Sequence, residues 1–364
     1  MTGATIPAMQ TPPKKSRLLR FVKRALIGVV LLLVCAALVG AAYQAIANWR
    51  DARRFPQEGR SIALGADFPG VSLSLNCMGQ GSPTVILDSG LGVPAAGWDL
   101  VMPDVAKFAR VCSYDRAGYG WSSAGPMPRT SGEIVKELHA LLAASEEKGP
   151  FVLVGHSFGG YNVRIYADKY PADVAGLVLV DTSHEDQEQL MPPSLRKLTQ
   201  DQIKQLDSQK RLMPILIFFG IARLTAGDDG DSKLSKEFRG KMKYLQLQTK
   251  FIDAAFSEIK SFSLSAEEVR RTGNLGDRPL VVLTAGKDLE AKDLPKGVSV
   301  EEMREFRKTW VNDLQVRQTR LSTRGKRIIV PDSTHMIPME RPDAVVNAIR
   351  EVCDAVKAGP APKS

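Results

Sequence analysis

The chain has 364 residues, 44% hydrophobic and 24% charged, a globular balance with room for one large α/β domain plus an insertion, or for two domains. Its net charge of +9 invites a nucleic-acid reading, but Lys14, Lys15, Arg17, Arg20, Lys23 and Arg24 supply six of the positive charges ahead of the first apolar run. The remainder carries a small excess, which excludes a broad basic face, and no nucleic-acid partner is expected.

From Ala25 to Ala42 the residues ALIGVVLLLVCAALVGAA carry no charge. With Phe21–Val22 before and Tyr43–Ala47 after, they are long enough to cross a bilayer as a helix. The positive residues come first, so the N-terminus is expected in the cytoplasm and everything beyond Trp49 outside, periplasmic or extracellular. A cleaved signal peptide is the rival, and would leave the domain secreted. Its apolar core is usually about 7–15 residues, shorter than this run, although Val39-Gly40-Ala41 offers small residues for cleavage. A terminal segment apolar on all sides does not read as a core helix. Of four cysteines, Cys35 falls in this segment and Cys353 near the C-terminus, leaving Cys77 and Cys112 in the folded part. No C-x-x-C spacing or His/Cys cluster calls for a metal.

Arg50 to Arg60 reads as a polar connector. Val71–Leu75 and Thr84–Leu87 read as strands around the turn Gly79-Gln80-Gly81-Ser82, and Val111–Tyr114 as another before the glycine-rich DRAGYGWSS. Between Ser131 and Ser145, Ile134, Leu138, Leu141 and Leu142 recur at helical spacing. Phe151–Val154 is a buried strand, and Asn162–Lys169 a helix ending before Pro171. Leu177–Val180, Leu280–Leu283 and Arg327–Val330 complete the strands, and a last helix starts near Pro342. Such alternation predicts a mostly parallel sheet covered on both faces. Between Asp181 and Arg278 the alternation stops and the pattern is helical, which predicts an inserted cap, since so long a structureless loop is improbable. It holds the apolar block Met213–Leu224 and the acidic turn GDDGD.

Gly155-His156-Ser157-Phe158-Gly159 matches G-x-S-x-G, with a strand before and a helix after. So tight a turn needs small neighbours and lifts Ser157 above the sheet edge as a nucleophile. Among four histidines, His139 lies within a helix, His156 leaves the turn in another direction, and His184 follows a strand. His335, in the loop between the last strand and the last helix, is the expected base, in the chain order Ser, acid, His. Asp288, after the Leu280–Leu283 strand, is the favoured acid. Asp181, ending the earlier strand, is the alternative, with Glu290 and Asp293 behind it. Either main candidate can hold the imidazole tautomer. The oxyanion donors are expected to be the backbone N–H groups of Phe158 and of Leu91, in the loop DSGLG.

These motifs, DSGLG at 88–92, DRAGYGWS at 115–122, GHSFGG at 155–160 and STHMI at 333–337, resemble those of the α/β-hydrolase superfamily. The resemblance spans Val71 to Val352 and does not identify a substrate. It implies an eight-stranded sheet with the second strand antiparallel, helices on both faces, a cap after the sixth strand, and no cofactor. Together with the apolar run, it divides the chain into a basic tail at 1–24, an anchor at 25–47, a linker at 48–60, a core at 61–182 and 279–356, a cap at 183–278 and a flexible tail at 357–364. It also puts Cys77 and Cys112 on neighbouring strands, where a disulfide between them is expected, with two buried thiols as the alternative. Two departures stand out. Ser89-Gly90 replaces a common His-Gly, and Gly286-Lys287-Asp288 is one residue shorter than the usual G-x-x-D, which keeps Asp181 in contention.

The expected reaction is hydrolysis of a carboxylic ester with an apolar acyl or aromatic group, through an acyl-enzyme. Serine at 157 argues against superfamily members that open epoxides or displace halide with a carboxylate. Amidase or aminopeptidase chemistry, perhydrolysis and carbon–carbon hydrolysis share the serine. A membrane-tethered binding protein on the same scaffold is the non-enzyme alternative. The block Met213–Leu224 is expected to pack on the main domain, ahead of lining an acyl pocket or dipping into a bilayer surface.

Overall fold

The computed structural model describes residues 17–227, 234–288, 294 and 296–359. The basic tail before Arg17, most of the acidic turn, Glu290, Asp293 and the tail beyond Gly359 lie outside them. The chain opens with α1, Arg17–Arg54, an uninterrupted helix that carries the apolar run and continues into the residues read as a connector. From Leu19 to Arg54 it is long and apolar enough to cross a membrane. Phe55 follows as a buried residue, so the passage into the domain is short.

Strands β1 (Arg60–Ala63), β2 (Ser72–Met78), β3 (Val85–Asp88), β4 (Val111–Tyr114), β5 (Phe151–His156), β6 (Val174–Val180), β7 (Leu280–Ala285) and β8 (Gly325–Val330) form one sheet. Their order is β1-β2-β4-β3-β5-β6-β7-β8, with β2 antiparallel to both neighbours and the remaining pairs parallel. The central strands read as unbroken apolar runs because both faces are covered. Strand β1, RSIA, is mostly exposed at the sheet edge and carries too little hydrophobic signal to be read from sequence. The β2–β4 register sets Cys77 opposite Cys112, and a disulfide joins them.

Before the cap come α2 (Met102–Val105), α3 (Ser131–Ala144) and α4 (Gly159–Lys169). Among its described residues, the cap between β6 and β7 is built of helices joined by short turns, with no strand. It comprises α5 (Gln187–Leu190), α6 (Pro193–Phe218), α7 (Ile221–Thr225), α8 (Lys236–Gln246), α9 (Thr249–Lys260) and α10 (Phe262–Arg270). After β7 follow α11 (Val300–Thr309), a π-helical turn Trp310–Leu314 and α12 (Gln315–Thr319). Beyond β8 come α13 (Ile337–Glu340) and α14 (Pro342–Lys357). Helices α3 and α4 bury Leu138, Leu141, Tyr161 and Tyr166 in the core on one sheet face. Helices α2 and α14 bury Met102, Val105, Val345 and Ile349 on the other.

The apolar block of the cap is divided. Ile217 and Ala222 pack with Tyr119, Phe251 and Ile252. Leu212, Ile215, Phe218, Ile221 and Leu224 are exposed. The α6–α7 corner also meets α1. Arg223 donates from Nε to Gln44 Oε1 at 3.2 Å and from an Nη to Asn48 Oδ1 at 2.9 Å, and pairs with Asp51.

Candidate active site

Ser157 stands between β5 and α4 at φ 53°, a left-handed conformation that a serine keeps only where its surroundings enforce it. The flanking glycines are required by contact. A Cβ on Gly155 would lie 2.6 Å from the Gly159 carbonyl oxygen, one on Gly159 2.4 Å from the Asp88 carbonyl oxygen, and one on Gly160 2.3 Å from Thr182 Cβ. The turn is therefore wedged between the end of β3 and the chain leaving β6.

His335, after β8, lies with Nε2 2.8 Å from Ser157 Oγ and Nδ1 2.7 Å from Asp181 Oδ2. Asp181 ends β6 with a buried carboxylate and φ 43°. Its Oδ1 accepts from the Ala285 N–H and from Trp310 Nε1–H, each at 3.0 Å. Burial alone would push this carboxyl up, but His335, Trp310 and Ala285 hold it below the ordinary carboxylate value. One oxygen therefore faces the imidazole while fixed donors hold the other.

Asp288, the acid favoured from sequence, is not in this chain of contacts. It is exposed beyond β7 and lines a separate cavity of about 350 Å³ with Gly286, Arg304, Arg307 and Ile329. The physical reason is sheet order. Strand β6 is the direct neighbour of β5, so its end lies one strand closer to Ser157 than the end of β7. The other histidines have separate partners. His156 is buried, its ring held down to about 3 by burial and by His335, and its neutral Nε2–H donates to the His335 carbonyl at 2.9 Å. His184 accepts from the Asp186 N–H through Nδ1, and His139 stacks on Tyr170.

The loop DSGLG packs directly on Ser157, and a Cβ on Gly90 would lie 3.2 Å from Ser157 Cβ. Among the described residues, neither the Leu91 nor the Phe158 backbone N–H has a hydrogen-bond partner, which leaves both free to face a developing oxyanion. Arg116, from the DRAGYG stretch, holds this loop by its carbonyls, donating to Ser89 O at 2.7 Å and Gly90 O at 2.9 Å. The same buried guanidinium pairs with Asp88 at 3.0 Å and with Glu258 of α9 at 2.9 Å. Burial keeps the Tyr119 hydroxyl protonated, as a donor to Glu258 at 2.6 Å and an acceptor from the Gly92 N–H at 3.1 Å. Val93, Met336 and Met339 border a mostly apolar, half-open cavity of about 570 Å³, lined on the cap side by Ala226, Phe238 and Leu247. That size suits a small-molecule substrate.

With a serine hydroxyl, an imidazole and a buried carboxylate in line, the imidazole can take the serine proton on Nε2, while the carboxylate holds the ring's tautomer and stabilises its charged form. The sequence profile of the alpha/beta hydrolase family matches residues 85–348, from β3 into α14, and so includes all three groups. The chain belongs to this family.

Solved structures share the α/β-hydrolase fold. A candidate epoxide hydrolase variant from Pseudomonas aeruginosa superposes with a TM-score of 0.60 at 17% identity, covering 82% of this chain and 97% of that one. A candidate lipase from Acinetobacter baumannii gives a TM-score of 0.55 at 20% identity, covering 87% and 97%. The 2-hydroxymuconate semialdehyde hydrolase of a Pseudomonas species is 32% identical over 130 residues, 35% of this chain and 44% of that protein. The chain matches less than half the length of the curated relatives compared with it. Three site residues of this α/β hydrolase escape sequence reasoning. Arg116 lies inside a quoted motif but only the fold pairs it with Glu258, and Trp310 lies in a helical stretch with no pattern of its own.

Proposed function

We propose that the chain is a serine hydrolase of carboxylic esters, with Ser157 as nucleophile, His335 as base and Asp181 as acid. The observation that carries this reading is the unbroken relay from Ser157 Oγ through both ring nitrogens of His335 to Asp181. Ser157 Oγ attacks the ester carbonyl while its proton passes to His335 Nε2. The oxyanion is received by the Leu91 and Phe158 N–H groups. The C–O bond then breaks, the alcohol leaves with the proton from His335, and the acyl group stays on Ser157. Water, deprotonated by the same histidine, releases the acid and restores the serine.

The placement proposed is at the outer face of a membrane, with α1 as a retained anchor and its N-terminus cytoplasmic. Positive residues ahead of the apolar run support the orientation. Retention is supported by the outer third of α1, where Gln44 is buried and Gln44, Asn48 and Asp51 all engage Arg223. Cleavage near Ala41 would cut between Gly40, which touches the cap, and this face.

The test is labelling of the full chain, in lipid nanodiscs, with a fluorophosphonate probe. Labelling is expected in the native protein and lost in Ser157→Ala. Folded native protein that takes no label would overturn the reading. Paired p-nitrophenyl ester and anilide substrates then separate ester from amide preference, with the ester expected to turn over faster.

A further inference from the structure

The exposed apolar corner of the cap lies against a helix whose position along the membrane normal is set by its own charges. Between Arg24 and Arg50, α1 carries no charged residue, and Trp49 closes the run as an interfacial aromatic. Gly40 lies nine residues before Trp49, about 13 Å deeper at ~1.5 Å per residue. At that level α1 meets the α6–α7 corner backbone to backbone. A Cβ on Gly40 would lie 2.4 Å from the Phe219 carbonyl oxygen, and one on Gly220 would lie 2.9 Å from the Tyr43 ring. Gly220, at φ +71°, forms the corner itself.

The corner has the composition that such depth requires. From Leu212 to Ala222 it has no charged residue, bounded by Arg211 on one side and Arg223 on the other. Its outward residues Leu212, Ile215, Phe218 and Ile221 are 51%, 53%, 62% and 43% exposed, and Leu224, just past Arg223, is 69% exposed. In water such a contiguous apolar patch is a liability. Arg223 turns back to Asp51, just beyond Trp49, so the charge boundaries of the corner and of α1 fall at one level.

We infer that the α6–α7 corner of the cap is seated in the outer leaflet of the bilayer beside α1, with Leu212, Ile215, Phe218, Ile221 and Leu224 facing lipid acyl chains. This rests on α1 being a retained membrane span. The partner is bilayer lipid, because the corner is fixed to the lipid-facing part of α1 and shares its charge boundary. The Arg223–Asp51 pair marks the level of the headgroups.

The experiment is nitroxide depth measurement on the full chain in phosphatidylcholine nanodiscs. Single labels are placed at Phe218→Cys and Leu224→Cys in a Cys35→Ser background, the remaining free thiol, Cys353, being buried. Leu32→Cys on α1 is the lipid reference. Leu264→Cys on α10, 58% exposed and away from the corner, is the water reference. The ratio of oxygen to water-soluble nickel-complex collisions at 218 is expected to approach that at 32, that at 224, beside Arg223, to be lower, and both to exceed that at 264 several-fold. Ratios at 218 and 224 equal to that at 264, with 32 still in lipid, would overturn the inference and leave the anchor intact. A water-like ratio at position 32 would overturn both. Neither readout depends on hydrolysis, so a failure of ester cleavage is a separate result.

Discussion

At the scale of single residues, the contacts of His335 decide what each substitution does. Asp181→Asn is expected to lower kcat by roughly 10³–10⁴-fold, since an amide favours the wrong imidazole tautomer. Asp288→Asn should leave kcat unchanged, and both are read by ester turnover of purified variants. Trp310→Phe removes one donor to Asp181 Oδ1 while the Ala285 N–H remains. It should lower kcat about tenfold with KM unchanged, as a hydrogen bond to a charged group warrants. His156 gives a pH signature in stability. Its folded value is about 3 against an ordinary 6.5, so below 6.5 the unfolded chain takes a proton that the folded chain refuses. Stability should therefore fall as pH drops, by about 2 kcal/mol between pH 7 and 5, and His156→Gln should flatten that fall in urea titrations. Asp181 adds the same sign at lower pH, because its folded value lies below the ordinary one. The meeting of Ser157 and His335 is legible in sequence because a tight strand–turn–helix writes its glycines beside the serine and because so few histidines compete. Which aspartate bonds His335 is not legible, since both β6 and β7 end near an aspartate and only the order of strands chooses between them.

At the scale of elements, the cap braces the loops around Ser157. Helix α9 delivers Glu258 to Arg116, and Arg116 holds the carbonyls of the DSGLG loop. Lys250 of the same helix bonds the carbonyls of Gly120 and Ser122 at 2.7 and 2.6 Å. Glu258→Gln leaves a buried guanidinium short of a charge partner, and is expected to cost about 3 kcal/mol in urea unfolding. It should also slow turnover, because the loop loses its brace. The strands of the sheet centre and the helical character of the cap follow from runs and periods in the sequence. The Glu258–Arg116 pair does not, since its partners are 142 residues apart and nothing local to Arg116 names Glu258.

At the scale of the whole molecule, the disulfide and the first helix set the boundary conditions. Cys77 and Cys112 close a loop of sequence separation 35 at the β2–β4 ladder. By the chain-entropy argument, reduction should lower stability by about 3–4 kcal/mol, read as a drop in Tm with and without reductant. Helix α1 runs without a break from the apolar run to Arg54, and Phe55 is buried directly after it. A chain joined in this way has no tether on which to swing. Any tilt of α1 is then transmitted to the domain as a lever transmits a rotation. A thicker or thinner bilayer changes the tilt of a helix of given length. On the membrane placement proposed above, bilayer thickness becomes a mechanical input to the orientation of Ser157, since among the described residues α1 leads without a break to the buried Phe55.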